Sequence, residues 1–61
     1  MTLQPMTPNQ LARYAAAEGA RRDCLQLGRE ARRQGYPDHA AQYRANAAEW
    51  ARRRDAAADE Q

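Results

Sequence analysis

The chain has 61 residues and a formal net charge of +2, from ten arginines against eight acidic residues. A chain this short is one small domain at most and can bury only a thin core. It lacks Phe, Ile, Val and Lys, and fifteen of its residues are alanine. The near absence of β-branched residues excludes a sheet. Ala, Arg, Gln, Glu and Leu all favour helix, so the expected class is all-α.

Residues 1–6 form a short N-terminal arm, kept out of a helix by Pro5 and by Pro8 beyond it. Thr7, Pro8 and Gln10 then spell a helix start. Thr7 can accept from the N–H three residues on, Pro8 suits the first helical position, and Gln10 can reach back to the Thr7 N–H. The spacing predicts a first helix over about 8–34. Leu11, Tyr14, Ala15, Glu18, Arg22 and Leu25 share one side of it. Ala17, Ala20, Cys24, Leu27, Gly28 and Ala31 share another, a stripe of mostly small residues that would admit a close neighbour.

Gln34-Gly35-Tyr36-Pro37-Asp38-His39 is the hinge. Gly35 can take the left-handed conformation that ends a helix. Pro37 suits the first position of a new one, and Asp38 places negative charge on its N-terminal turn. The second helix is predicted over about 37–55. Tyr36, Ala40, Tyr43, Ala47, Trp50 and Arg54 step by four and three, a heptad-like seam. Residues 56–61 carry acids where the helix dipole prefers cations, so a fraying tail is expected there.

The predicted architecture is therefore an antiparallel two-helix hairpin in a single domain, 1–61. With so few large apolar residues it should be marginal alone, so dimerisation into a four-helix bundle is expected. Leu27-Gly28, Gln34-Gly35, Asp38, Ala40, Tyr43 and Ala47 resemble one tetratricopeptide-type helical hairpin. The resemblance covers about residues 24–48. In that family the first helix carries a Leu-Gly pair, the turn reads Gln-Gly-x-x-Asp, and the second helix carries Ala, an aromatic and Ala. The chain departs from the family in its longer first helix, in Pro37 within the turn, and in having no second repeat to cover the first. The resemblance implies protein binding.

Enzyme function is not expected. Cys24 and His39 are the single thiol and imidazole. A turn between them, with Cys24 about eleven residues before it, leaves no nucleophile–base pair. Metal-ligand spacing and a glycine-rich phosphate loop are both missing, so no cofactor is expected. The lone cysteine, and the lack of a signal-like or membrane-spanning run, give a cytoplasmic protein as the expectation.

Two sets of residues are the candidate sites. Leu11, Tyr14, Leu25, Tyr43 and Trp50 are candidates for a partner or dimer interface, because aromatic residues most often anchor interfaces. Arg21, Arg22, Arg52, Arg53 and Arg54 should be brought together by the fold-back as a basic cluster, facing an acidic protein surface or nucleic acid. The expected function is that of a non-enzymatic interaction module that sterically blocks or modulates a larger protein. In size and style the chain resembles small phage or mobile-element products that inhibit host proteins. The alternatives are an Arg-rich nucleic-acid-binding regulator and a helical subunit that folds with its partner.

Overall fold

Local chemistry sets the two helices before any tertiary contact is considered. The computed structural model describes residues 5–59; the arm residues Met1 and Leu3 and the last two residues of the tail lie outside them. Helix α1 spans Pro8–Arg33 and helix α2 spans Pro37–Asp59, with no strand among the described residues. At the start of α1, the Thr7 hydroxyl accepts from the Gln10 N–H at 3.1 Å, and Gln10 Oε1 accepts from the Thr7 N–H at 3.3 Å. This is the reciprocal capping box read from the sequence.

The end of α1 is equally local. Gly35 has φ +84°. The Tyr36 N–H donates to the Ala31 carbonyl at 2.8 Å and the Gly35 N–H to Arg32 at 3.1 Å. That pair of bonds is a Schellman ending, and it satisfies carbonyls the helix would otherwise leave open. The Tyr36 carbonyl accepts from the Ala40 N–H at 3.0 Å, so α2 opens directly on Pro37.

The two helices pack along one seam as an antiparallel hairpin. On α1, Gln10, Ala17, Gly28 and Ala31 are buried and Tyr14, Arg21 and Cys24 are half-buried. These seven positions step by four and three throughout. On α2, Ala40, Ala47 and Ala57 are buried, with Tyr43, Trp50 and Arg54 half-buried between them. Each helix thus carries a seven-residue repeat toward the other. Of the two sides of α1, the small-residue stripe faces α2. The reason is steric: a Cβ added at Gly28 would lie 3.4 Å from Tyr43 Cβ and 3.6 Å from the Ala40 carbonyl oxygen. Larger side chains along that stripe would hold the backbones apart.

The consequence is a core made of methyl groups. Among the described residues, Ala17, Ala31, Ala40, Ala47 and Ala57 are its buried apolar residues, and no large side chain is fully enclosed. A buried methyl contributes about 0.8 kcal/mol, against about 1.5–3 kcal/mol for a buried leucine. The seam fixes the register more than it supplies stability.

Three local expectations are corrected. Tyr36 stands outside the packed seam, 53% exposed, and stacks on His39 with ring centroids 5.6 Å apart. It is the residue before Pro37, where the chain is still turning. Leu27, grouped with the small stripe, is 47% exposed on its edge. Helix α2 continues through Asp59 instead of fraying from residue 56. Its last turn is held from α1: Gln10 Nε2 donates to the Ala57 carbonyl at 2.7 Å and to Ala58 at 3.3 Å. Those carbonyls have no partner within their own helix.

Candidate interaction surfaces

Glu18, halfway along the packed flank of α1, draws three arginines to itself. Arg21 Nε donates at 3.0 Å, Arg22 Nε at 3.2 Å, and Arg54 Nη1, from α2, at 2.7 Å. Arg54 also donates to Asp55 at 3.0 Å. The Arg21 hydrogen bond first, and the Arg54 bond next, hold the Glu18 carboxyl far below the usual carboxylate range. The bond to Glu18 first, and the bond to Asp55 next, raise the Arg54 guanidinium.

Arg21, Arg22 and Arg54 therefore do converge across the hairpin, around a shared carboxylate. Arg52 and Arg53, in the same turn of α2 as Arg54, pair instead with Glu49, at 3.0 and 3.6 Å for their nearest Nε–carboxylate contacts. Arg52 is the larger cause of a lowered Glu49 pKa. All five arginines of the expected basic cluster thus have acidic partners within the chain, which reduces the charge they present outward.

A different set of arginines stands without an ion pair among the described residues. Arg29, Arg32 and Arg44 surround a depression near the hinge, floored by Leu25, Gly28 and Ala40. Its volume is about 180 Å³. Leu11 and Tyr14 lie farther along the same flank of α1, by the three-and-four spacing 11, 14, 18, 22, 25, 29, 32. Leu11 is 53% exposed, while Tyr14 and Leu25 are half-buried.

The opposite flank carries Trp50. Its indole, half-buried, lies with Arg13, Ala16, Ala17, Arg53 and Ala56 around an open groove of about 370 Å³. The Arg53 guanidinium sits 4.6 Å from the Trp50 ring centre, a cation–π contact. Tyr43 is half-buried two turns before Trp50 on the seam. Closer to the hinge on this flank, Asp23, Gln26, Leu27 and Glu30 line a second open depression. The sequence reading passed over Leu27, Asp23, Glu30 and Arg13 as site residues. A signal was present: 13, 16, 20, 23, 27 and 30 also step by three and four, a second stripe beside the packed one.

Cys24 is half-buried in the seam, and His39 is engaged with Tyr36 at the hinge. No group of three His, Cys, Asp or Glu among the described residues could hold a metal ion. No described helix is long and apolar enough to cross a membrane. In comparisons with known proteins, no family model matches the chain, and neither a curated protein nor a solved structure is significantly similar to it.

Proposed function

We propose that this hairpin is a non-enzymatic protein-binding module, which docks through the Leu25 flank onto an acidic surface of a larger protein and acts by occupying it. The observation that supports this most is the contrast between its two arginine sets. Arg21, Arg22, Arg52, Arg53 and Arg54 are matched by acids within the chain. Arg29, Arg32 and Arg44 have no acidic partner among the described residues, and they ring an apolar floor. An apolar floor with a cationic rim suits a side chain of a protein partner flanked by carboxylates. Leu11 and Tyr14 would extend the contact along α1. Inhibition of a host protein by a phage or mobile-element product is the biological setting that this size and architecture resemble.

Charge reversal tests the reading. Arg29→Glu and Arg44→Glu change exposed side chains, so the hairpin should keep its circular dichroism spectrum. Capture of an acidic protein by the wild type, lost in the double variant, would support it. Duplex DNA bound with a steep loss of affinity in salt would replace it with the nucleic-acid reading.

A further inference from the structure

Most arginines of this chain get their acid from helix spacing. Arg21 and Arg22 lie three and four residues after Glu18, Arg33 three after Glu30, and Arg52 and Arg53 three and four after Glu49. Arg54 meets Asp55 beside it and Glu18 across the seam, and Arg13 is engaged too. Arg29, Arg32 and Arg44 have no acid three or four residues away in either direction. Arg29 has Leu25 and Gln26 before it and Arg32 and Arg33 after it. Arg32 has Gly28 and Arg29 before it and Gly35 and Tyr36 after it. Arg44 has only Ala40, Ala41, Ala47 and Ala48 at those places. The three arginines without an acid are the same three that line one depression, and no acidic residue lines it.

The Glu18 cluster shows what is missing. Leu25 stands seven residues after Glu18, and Arg29 seven after Arg22, so both repeat those places on the same flank two turns nearer the hinge. At the first place a carboxylate gathers arginines from both helices. At the second, arginines again come from both helices, Arg29 and Arg32 from α1 and Arg44 from α2, but a leucine stands where the carboxylate would be. The acceptor has to come from another molecule. A second copy of this face would bring the same unpaired cations and no acid, so it is not the occupant.

Charge and floor together define the chemistry. Arg21, Arg22 and Arg54 are met by two carboxylates, Glu18 and Asp55. The same balance at the depression calls for about two negative charges. A phosphomonoester carries about 1.5 to 2, on three acceptor oxygens, in a single group. Guanidinium forks on both walls of the groove can bond those oxygens at once. The floor of Leu25, Gly28 and Ala40 offers a free anion nothing, but it can take an apolar side chain next to the phosphate in the same partner.

We infer that this depression binds a phosphorylated residue of a protein partner, with the phosphoryl group held by Arg29, Arg32 and Arg44 and a neighbouring apolar side chain resting on Leu25, Gly28 and Ala40. The inference rests on the proposed docking through the Leu25 flank and adds its control: the partner is held when it is phosphorylated.

Titration of isotope-labelled protein, followed through the arginine side-chain N–H resonances, tests it. The probes are the peptide acetyl-Gly-Leu-phosphoserine-Leu-Gly-amide, the diacidic peptide acetyl-Gly-Leu-Glu-Glu-Leu-Gly-amide, and inorganic phosphate. The phosphopeptide should move the resonances of Arg29, Arg32 and Arg44 and leave those of Arg21 and Arg52 in place. It should bind about tenfold more tightly than either other probe. Arg44→Gln should weaken it about tenfold, whereas Arg52→Gln, which removes the same charge elsewhere, should change it less than about twofold. Both substitutions alter exposed side chains, and unchanged circular dichroism checks that the hairpin is intact. A diacidic peptide bound as tightly as the phosphopeptide would overturn this inference and leave the acidic-surface reading standing. Inorganic phosphate bound as tightly, or equal losses in Arg44→Gln and Arg52→Gln, would also overturn it. If neither peptide moves the three resonances, the inference and the docking reading beneath it both fall.

Discussion

Arg54 of α2 reaches Glu18 of α1 at 2.7 Å, across 36 positions of sequence. This bond joins the helices between the Gly35 turn and the Gln10 clasp, much nearer the clasp. Because Arg21 and Arg54 hold the Glu18 carboxyl low, the folded chain binds that proton more weakly than the unfolded chain does. The resulting stability is complete above the ordinary carboxylate pKa, about 4.3 for Glu, and is lost as pH falls below it toward the depressed folded value. Glu49, lowered chiefly by Arg52, adds to the same limb. Thermal melts at decreasing pH should show a falling midpoint below about pH 4. Glu18→Gln should start with a lower midpoint at neutral pH and show a shallower acid dependence. An acid limb as steep as wild type in Glu18→Gln would assign the effect to other carboxylates.

Gln10 serves two helix ends with one side chain. Its oxygen caps the start of α1, and its nitrogen holds the Ala57 and Ala58 carbonyls at the end of α2. Gln10→Ala should cost about 1–2 kcal/mol and reduce helicity by shortening α2. Gln10→Glu separates the two roles. A glutamate can complete the capping box, yet its charge faces carbonyls at the negative end of the α2 dipole. It should protect the start of α1 and release the end of α2, seen as faster amide exchange confined to the last turn.

The three glycines should respond differently to alanine. Gly19 has open space around it, so Gly19→Ala should stabilise by about 0.5–1 kcal/mol through helix propensity alone. Gly35 is left-handed, so Gly35→Ala should destabilise by about 1 kcal/mol. Gly28→Ala places its methyl in ordinary contact with Tyr43 and should be near neutral, whereas Gly28→Leu should force the helices apart. Denaturant titrations of the four variants check this order.

Size changes should matter on the seam and not outside it. Ala47→Leu inserts volume where Ala47 is 4% exposed and should cost about 1–3 kcal/mol. Leu11→Gln alters an exposed side chain and should stay within about 0.5 kcal/mol of wild type. A large loss from Leu11→Gln in the purified protein would mean that this flank is covered in solution.

The sequence by itself determined what depends on neighbours within a few residues. Thr7, Pro8 and Gln10 fixed the start of α1, and Gly35 with Pro37 fixed the turn, because caps and left-handed glycines act through bonds to residues three to five positions away. The four-and-three spacing from Ala40 to Arg54 marked the α2 seam for the same reason. Tertiary structure decided which side of α1 would face that seam. Both sides of α1 had helical periodicity, and closeness of approach, not hydrophobicity, chose the small one, leaving Leu11 and Leu27 outside. It also decided the length of α2, since the donor that holds its last turn comes from Gln10, 47 residues away. Finally, it sorted the arginines. Charge composition counted ten of them alike, but only the fold-back could set Arg54 against Glu18 and leave Arg29, Arg32 and Arg44 without acidic partners among the described residues. Pairing between distant charges depends on distance in space, and that is settled only when the helices have chosen their faces.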